Sequence, residues 1–587
     1  MELAFLNINN EDDLETYKTA TVTDKESKSQ QTGNESEAVD PWALPEFERT
    51  GPKWQELTTG GKVNLVIRTF IKIICLLCLL YLFICSLNFL SSAFRLLGGK
   101  TAGKVFAADG ILSNPVAGLM IGLLATVLFQ SSSTTTSIVV AMVSSGILDV
   151  GQAIPIIMGA NIGTSVTNTI VSMGHVKQRD EFRRAFAGAT VHDLFNWLTV
   201  LVLLPTEVIT KHFFGSSYLF YSSKAITDAL GIEKKQGTKV EFLKTITKPF
   251  TNQVIKIDKN VIKRIAEGKD VAADESLIKY WCKTTKVFNN TLNKTVKVGV
   301  EPCKFLFHDT GMKDSLVGII LLVLSIALLC FCLVCIVKLL HSMLKGNLAS
   351  VVKRTINANF PGPFKYFTGY FAILVGAGMT MLVQSSSIFT SALTPLVGIG
   401  IVTIERIFPL TLGANIGTTG TAILASLASS SNFQAALQIS LCHLLFNLTG
   451  IAIWYPLPFM RNVPIKCAKK LGDTTADYRW FALVYLVICF FILPATIFGL
   501  SLAGAYILLG VLVPIATLLL LVVIINLLQN KMPSILPTLL RTWKWLPECL
   551  RSLKPYDKVF VKIIEVFKSC CGKKQCAVDC DEPETYV

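Results

Sequence analysis

The sequence predicts an all-α polytopic membrane protein, built from two inverted repeats that each contain a re-entrant hairpin. The 587-residue chain is 51% hydrophobic and only 16% charged, with a mean hydropathy of +0.53. Several of its apolar segments approach or exceed the ~20 residues that a helix needs to cross a bilayer. A serine-rich motif also occurs twice inside such segments, as QSSSTTTS at 130–137 and QSSSIFTS at 384–391.

The apolar segments divide into two groups on either side of a long polar stretch. The N-terminal tail lacks the basic-then-apolar pattern of a signal peptide, which predicts that it stays in the cytoplasm. The predicted domains are a disordered cytoplasmic tail (1–62), a first transmembrane repeat (63–205), an extracellular glycosylated loop (206–313), a second transmembrane repeat (314–460), C-terminal transmembrane helices (461–530) and a cytoplasmic tail (531–587).

The polar loop carries the features of an extracellular segment. Two N-glycosylation sequons, at Asn289 and Asn293, lie between Cys282 and Cys303. Two sequons between paired cysteines indicate an oxidising, extracellular environment. Four further cysteines near the C-terminus favour palmitoylation or unmodified thiols over a zinc site, because no histidine accompanies them. These are Cys570, Cys571, Cys576 and Cys580.

Charge and motifs argue against two other classes of protein. The net charge of +15 comes from Lys and Arg in loops and tails that flank apolar segments. This distribution indicates contact with membrane lipid and excludes a nucleic-acid partner. The stretch GGKT at 98–101 is not a phosphate-binding loop, because Phe94 stands where its first glycine is required. We therefore predict a protein that is not an enzyme and has no cofactor.

An internal duplication relates the two groups of apolar segments. Residues 117–167 align without a gap to 371–421, with 20 identities over 51 positions that include GANIGT in both copies. The apolar segments 111–147 and 366–400, each interrupted by a serine motif, are long enough for two short helices. In the predicted topology these hairpins enter the membrane from opposite faces. Inverted repeats of this kind are typical of secondary transporters with a site near mid-membrane.

The serine motifs predict two anion-binding helix ends. Four consecutive polar residues would point in every direction around one continuous helix, whereas a break exposes the N–H groups of a second half-helix. Two such ends, with serine hydroxyls as additional donors, form a cradle for an oxyanion. The alternative is that the serines serve helix packing, with each hydroxyl bonded to a carbonyl one turn back.

The GANIGT motifs predict loosened helices with free oxygen ligands. In each copy two glycines bracket an asparagine, which suits an alkali cation bound by backbone carbonyls, an amide oxygen and threonine hydroxyls. Close helix packing at glycine is the alternative. The expected helix breaks are at Gly159, Asn161, Gly163, Gly413 and Gly417.

Asp193 is a carboxylate inside an apolar segment, and burial there costs ~3 kcal/mol or more. Related motifs, HDLFN at 192–196 and HLLFN at 443–447, put Leu444 at the matching position of the second copy. Asn196 shares the helix face of Asp193, so a sodium ion bound by both would neutralise the charge. Pairing with His192 is the weaker alternative, because adjacent helical residues point about 100° apart.

Taken together, these motifs, with EFRRAFAGATVHD at 181–193 and the cysteine-containing tail, resemble the type II sodium–phosphate cotransporters (solute carrier family 34). The resemblance extends from about residue 40 to 530. It implies sodium-driven import of inorganic phosphate, elevator-type repeats and a homodimer. It also implies an apical epithelial plasma membrane, and Asp193 implies an electrogenic member of the renal or intestinal subtype.

The resemblance also implies the binding residues. Phosphate would be bound by Ser131, Ser132, Ser133, Ser385, Ser386 and Ser387. Sodium would be bound by Gln384, Ser385, Thr418, Thr421, Asp193 and Asn196, and we include Gln130 and Asn415 as further sodium-binding candidates. Sodium is the only metal expected.

Three residues depart from the family's usual pattern, namely His175, Gln178 and Ala414. We expect them to alter sodium affinity or pH sensitivity, with His175 the candidate for the latter. The last residues, Thr585, Tyr586 and Val587, fit a C-terminal ligand of a PDZ scaffold protein. Alternative functions are transport of another tetrahedral oxyanion, such as sulfate or arsenate, or an anion channel.

Overall fold

The computed structural model describes Trp42 and residues 58–106, 114–144, 146–230, 249–266, 275–289, 294–308, 310–344, 356–427, 432–560 and 562. Several predictions concern residues outside these ranges. They are most of the N-terminal tail, the sequon at Asn293, the cysteines of the C-terminal tail and the PDZ-ligand residues 585–587.

The first half of the molecule is helical up to the polar loop. A long helix precedes the first hairpin, whose two arms are separated at the serine motif. The elements are α1 (Thr59–Phe106), the hairpin arms α2 (Pro115–Phe129) and α3 (Ser132–Ser144), then α4 (Val150–Gly163), α5 (Val166–Ser172), a 3-10 turn (Met173–His175) and α6 (Arg179–Phe214).

The described part of the polar loop contains regular secondary structure. It contains α7 (Tyr218–Leu230), α8 (Lys259–Ala266) and an antiparallel pair of strands, β1 (Trp281–Asn289) and β2 (Lys294–Pro302). Residues 249–254 are also helical. A disulfide joins Cys282 to Cys303 across the pair, which confirms that prediction. Asn289 is the last residue of β1.

The second half repeats the arrangement and extends it. The elements are α9 (Asp314–Leu344), a 3-10 turn (Gly362–Tyr366), the hairpin arms α10 (Phe367–Val383) and α11 (Ser386–Gly398), then α12 (Ile404–Leu427), α13 (Phe433–Trp454), α14 (Pro458–Asp477), α15 (Phe481–Val487), a π-helical turn (Ile488–Ile492), α16 (Leu493–Leu502) and α17 (Ala505–Lys531). Short 3-10 turns (Pro533–Ile535, Thr538–Leu540, Trp543–Trp545), α18 (Glu548–Arg551) and helical residues 554–560 follow.

Within the described ranges, nine helical stretches are long and apolar enough to cross a membrane. The chain is therefore a polytopic, predominantly helical membrane protein. The helix α14 was not predicted. It contains Pro464 and several charges, and it packs along α6, where Arg183 Nε lies 3.1 Å from Asp473 Oδ1.

Glycines bring the first hairpin arm of each copy against the GANIGT helix. A Cβ on Gly159 would lie 1.9 Å from the carbonyl oxygen of Leu119, and a Cβ on Gly413 would lie 2.0 Å from that of Ile373. Real Cβ atoms do not approach an oxygen so closely, so only glycine allows these backbones to touch. The repeated GANIGT motif is therefore a packing motif in both copies, in α2–α4 and in α10–α12.

This packing corrects the predicted helix breaks. In the second copy α12 runs unbroken through Gly413 and Gly417, since the glycines serve close approach to α10. In the first copy α4 runs unbroken through Gly159 and Asn161, which contradicts the breaks predicted there. It ends at Gly163, and the helix resumes at Val166 after Thr164 and Ser165. The predicted helix breaks were therefore wrong at Gly159, Asn161, Gly413 and Gly417, and the helix is interrupted after Gly163.

The two hairpins open at opposite ends of α12. The second hairpin ends at Gly398, six residues before α12 begins. The first hairpin ends at Ser144, whose carbonyl oxygen accepts a hydrogen bond from the backbone N–H of Asn432, five residues beyond the end of α12, at 3.1 Å. A helix of this length spans about 36 Å, which is close to a membrane thickness.

Candidate functional site

Each hairpin turns at a glutamine in a left-handed backbone conformation. Gln130 has φ 49° and Gln384 has φ 54°, and among the described residues no other non-glycine has a positive φ. Such a conformation costs roughly 1–2 kcal/mol for an ordinary residue and is typical of functional sites. The same strained turn at the same position of both copies ends α2 and α10 immediately before the serines.

The first serine of each cluster caps the second hairpin arm. Ser131 Oγ accepts a hydrogen bond from Thr134 N at 3.2 Å, and Ser385 Oγ accepts one from Ile388 N at 3.3 Å. These bonds satisfy one orphan N–H of each helix. Ser132, Ser386 and Ser387 are buried, whereas Ser131, Ser133 and Ser385 are partly exposed. Both arms therefore present an N-terminus and hydroxyls inside the protein, which is the arrangement the sequence predicts for anion binding.

Polar side chains that follow the GANIGT motifs contact the hairpins of both copies. Thr167 Oγ1 donates to Gln130 Oε1 at 2.9 Å, within the first copy. The neighbouring Asn168 accepts through Oδ1 from Thr390 and Ser391 of the other hairpin, at 2.8 and 3.0 Å.

The second copy contacts the first hairpin in turn. Thr421 Oγ1 lies 3.5 Å from Ser133 Oγ and also donates to Thr418 O at 2.6 Å. Thr418 Oγ1 donates to Ala414 O at 3.0 Å, one turn back in its own helix. The structure therefore brings Thr421, a predicted sodium-binding residue of the second copy, beside Ser133, a predicted phosphate-binding residue of the first copy.

A buried hydrogen-bond network crosses between the copies. His192 Nε2 donates to Asn415 Oδ1 at 2.7 Å, Asn415 Nδ2 to Asn196 Oδ1 at 2.9 Å, and Asn196 Nδ2 to Asn161 O at 2.9 Å. His443 Nε2 lies 3.3 Å from Asn161 Oδ1. We call these five residues the histidine–asparagine network. The amide oxygens proposed as cation ligands, those of Asn161 and Asn415, each face a histidine of the opposite copy.

Asp193 lies apart from this network, although its neighbours in the sequence belong to it. Its Oδ2 accepts a hydrogen bond from the Tyr485 hydroxyl of α15, and its Oδ1, also buried, has no hydrogen-bond partner. Asn196 bonds to Asn161 and Asn415 instead. The structure therefore places the two predicted sodium ligands of α6 in different surroundings, and it pairs His192 with Asn415 rather than with Asp193.

The residues that depart from the family pattern lie in α12 and in the segment from the 3-10 turn Met173–His175 to the start of α6. His175 Nδ1 lies 2.9 Å from Glu181 Oε2, and both side chains are almost fully buried. Gln178 directly precedes α6. Ala414 is buried in α12 and its carbonyl oxygen accepts from Thr418.

Sequence reasoning missed several residues of the site. Tyr485 could not be found, because its contact with Asp193 joins positions 292 residues apart. Asn168 could have been found, because it is a second asparagine after Asn161 in the same apolar segment and directly follows Thr167. Arg95, whose Nη2 donates to Thr134 Oγ1 in the first hairpin, could also have been found, as an arginine in a predominantly apolar helix. Within the described residues no group of His, Cys, Asp and Glu side chains could hold a metal ion on its own.

Comparison with known proteins shows a consistent set of relatives. The model of a family described as Na+/Pi-cotransporter matches residues 82–220 and again residues 328–460, so that each match spans one copy of the duplication. The chain is 51% identical over 585 residues to sodium-dependent phosphate transport protein 2B of Homo sapiens, covering 95% of this chain and 82% of that protein.

A second type of relative matches at a similar identity. The chain is 52% identical over 500 residues to sodium-dependent phosphate transport protein 2A of Rattus norvegicus, covering 84% of this chain and 77% of that protein. No solved structure matches the chain at a significant level.

Proposed function

The chain belongs to the Na+/Pi-cotransporter family, and we propose that it imports inorganic phosphate with sodium by alternating access. The single observation that carries this proposal is the pair of hairpin tips. Each has a glutamine in the left-handed conformation followed by a serine-capped helix N-terminus. Two uncharged donor clusters of this kind suit an anion that must be bound and then released.

Phosphate binding by the two serine clusters is supported by their contacts across the copies. Thr421 of one copy lies beside Ser133 of the other, and Asn168 lies beside Thr390 and Ser391. A ligand held by both hairpin tips would be bound by side chains of both repeats. Hydroxyl and backbone N–H donors would replace part of the water that phosphate sheds on entry.

Alternating access is supported by the opposite directions in which the hairpins open. One open end lies next to the beginning of α12 and the other next to Asn432, beyond its end. In an inverted repeat, each hairpin gives access to the site from its own side of the membrane. An elevator movement of the hairpins and their GANIGT helices is the form of alternating access that we propose.

We propose that two groups of residues bind the coupling sodium ions. The first is Asp193, whose unpartnered buried Oδ1 is a hard oxygen suited to an alkali cation. The second comprises Gln384, Ser385, Thr418 and Thr421 near the second hairpin tip. Asn196 would join the first group only after leaving the histidine–asparagine network. Because Asp193 carries a charge that Leu444 does not, we propose that transport is electrogenic.

The remaining proposals concern assembly and location. We propose glycosylation at Asn289 and Asn293, a homodimer, an apical plasma membrane and a PDZ scaffold bound to Thr585–Val587. Both termini would be cytoplasmic. Large apolar side chains along α17 are exposed, among them Leu518, Leu519 and Leu520, and these suit contact with membrane lipid.

Radiolabelled phosphate uptake in oocytes tests the proposal. We expect uptake to require sodium and to fall to the background of water-injected oocytes when choline replaces it. Uptake that is unaffected by choline would contradict sodium coupling. Sulfate and arsenate as competitors test the alternative of another oxyanion, and competition by sulfate as strong as that by unlabelled phosphate would favour it. A current that persists without sodium would favour an anion channel.

A further inference from the structure

Arg95 is a cation in α1 whose surroundings in the described residues supply no counter-charge. Its Nη2 donates to Thr134 Oγ1 at 3.1 Å, and its Nε is shielded from solvent without a hydrogen-bond partner. No carboxylate of the described residues forms an ion pair with it. A charge in a membrane-spanning helix with an unpaired N–H is costly, which marks it as a functional candidate.

Thr134 links this cation to the first serine cluster. Its hydroxyl accepts from Arg95 and donates to Ser131 Oγ at 3.0 Å, while its backbone N–H donates to the same oxygen at 3.2 Å. Ser131 Oγ thus accepts two hydrogen bonds, so its own hydrogen is available for an anion. Consecutive hydrogen bonds polarise one another, by roughly 10–30% per bond, and a cationic donor at the start strengthens the effect.

The second copy lacks this chain of hydrogen bonds. Ile388 stands at the position of Thr134, and Ser385 Oγ accepts from its backbone N–H alone, at 3.3 Å. The backbone capping is therefore the same in both hairpins, whereas the polarising hydroxyl and the guanidinium belong to the first hairpin only. The turn of the first hairpin does not require the Thr134 hydroxyl or the Arg95 guanidinium, since the second hairpin forms the same turn without such groups.

We propose that Arg95 is a positioning residue for phosphate, acting through Thr134 to fix Ser131 and to strengthen its hydroxyl as a donor. Arg95 also adds positive potential on the side of the first cluster, where the helix N-terminus already favours an anion. The inference rests on the proposed function, because it assumes that Ser131 contacts phosphate. It adds to that function an asymmetry, in which the first cluster binds the anion more strongly than the second.

The alternative explanation is a structural arginine that only packs its aliphatic part against neighbouring helices. That role would make Arg95 important for folding and surface expression, but not for the phosphate concentration at half-maximal rate. The two explanations therefore differ in KM, measured per transporter at the cell surface.

The test uses sodium-dependent uptake of radiolabelled phosphate in oocytes, with surface biotinylation to count transporters. Arg95→Met removes both the charge and the donor, and we expect KM for phosphate to rise roughly ten-fold, as for loss of a charge-assisted hydrogen bond. Arg95→Lys keeps the charge without the planar fork and should recover part of this loss. Thr134→Val removes only the hydroxyl and should raise KM several-fold.

Two matched controls should leave KM unchanged. Lys100→Gln removes a positive charge from the same helix, at a side chain whose nitrogen lies 3.9 Å from Asp314. Ile388→Val alters the position in the second hairpin that corresponds to Thr134. If Arg95 acts through Thr134, the double variant Arg95→Met with Thr134→Val should raise KM no further than Arg95→Met alone.

Each outcome decides the inference. An Arg95→Met or Thr134→Val transporter with unchanged KM and a reduced maximal rate would overturn it in favour of a structural role. Additive effects in the double variant would overturn the connection through Thr134. If Arg95→Met fails to reach the surface, Thr134→Val and its KM decide the question. Wild-type protein without sodium-dependent uptake would contradict the proposed function instead, which keeps the two failures distinct.

Discussion

The two copies of the duplication share a backbone but differ in side-chain chemistry. Both turn at a left-handed glutamine, and both bring a hairpin arm against GANIGT through glycine. Only the first copy has Asp193, where the second has Leu444, and only the first has Thr134, where the second has Ile388. The difference teaches that the duplication preserved the backbone around the candidate site, whereas this aspartate and this threonine occur in one half only.

The largest effect expected from this comparison is the loss of charge transport at Asp193. Asp193→Gly should leave sodium-dependent phosphate uptake measurable while the phosphate-induced current disappears, because the variant has no carboxylate to bind the additional sodium ion. The measurement combines tracer uptake with two-electrode voltage clamp in the same oocytes. Leu444→Gly makes the matched change in the second copy and should retain the current. A wild-type current in Asp193→Gly would show that another group sets the transported charge.

The second prediction concerns the glycine packing that both copies share, and it expects the same loss of stability in each copy. Gly159→Ala and Gly413→Ala each place a Cβ within about 2 Å of a carbonyl oxygen, so the packed helices must move apart. We expect each to destabilise the fold by about 3 kcal/mol or more, at the upper end of overpacking effects. The measurement is the midpoint of thermal unfolding in detergent, followed by tryptophan fluorescence.

Two other glycines provide controls for this prediction. Gly151 and Gly378 have no atom within 4 Å of an added Cβ. Their alanine variants should unfold at the wild-type temperature or slightly above it, because alanine is the better helix former. If Gly413→Ala is as stable as Gly378→Ala, the close approach of α10 and α12 does not limit stability.

The smallest expected effect is a difference between two asparagines. Asn415→Ala leaves His192 Nε2 and Asn196 Oδ1 without their partner, whereas Asn161→Ala removes only a longer contact with His443 and a bond to its own helix. An unpaired buried group costs about 1–3 kcal/mol, so Asn415→Ala should unfold at the lower temperature. Equal unfolding midpoints of the two variants in the same detergent would show that Asn415 contributes no more to stability than Asn161.

Much of the fold could be predicted from the sequence because it rests on local, repeated signals. The breaks at Gln130 and Gln384 follow from polar runs that one continuous helix cannot place on a single face. The disulfide follows from cysteines that flank the sequons. The unbroken α12 could not be predicted, because a glycine pair suits a loosened helix and close packing equally well until the partner helix is known.

The contacts between the copies were also beyond sequence reasoning. The pairs His192–Asn415 and His443–Asn161 join residues more than 220 positions apart. The HDLFN and HLLFN motifs marked the residues as repeated but gave no partner. Tyr485 belongs to neither copy, so no duplication indicated its contact with Asp193. Long-range contacts of this kind depend on how the repeats pack, which no local pattern encodes.

The histidine–asparagine network has a consequence for the ancestry of the fold. A histidine of each copy bonds to the asparagine of the other, which is the reciprocal form of an isologous interface between two identical subunits. In a half-length ancestor both bonds would have formed between two identical molecules. One histidine and one asparagine in that shorter sequence would then have supplied both bonds. Fusion of two such genes would make the contact intramolecular and would release the halves to diverge. Such a history allows Asp193 and Leu444 to occupy matching positions today.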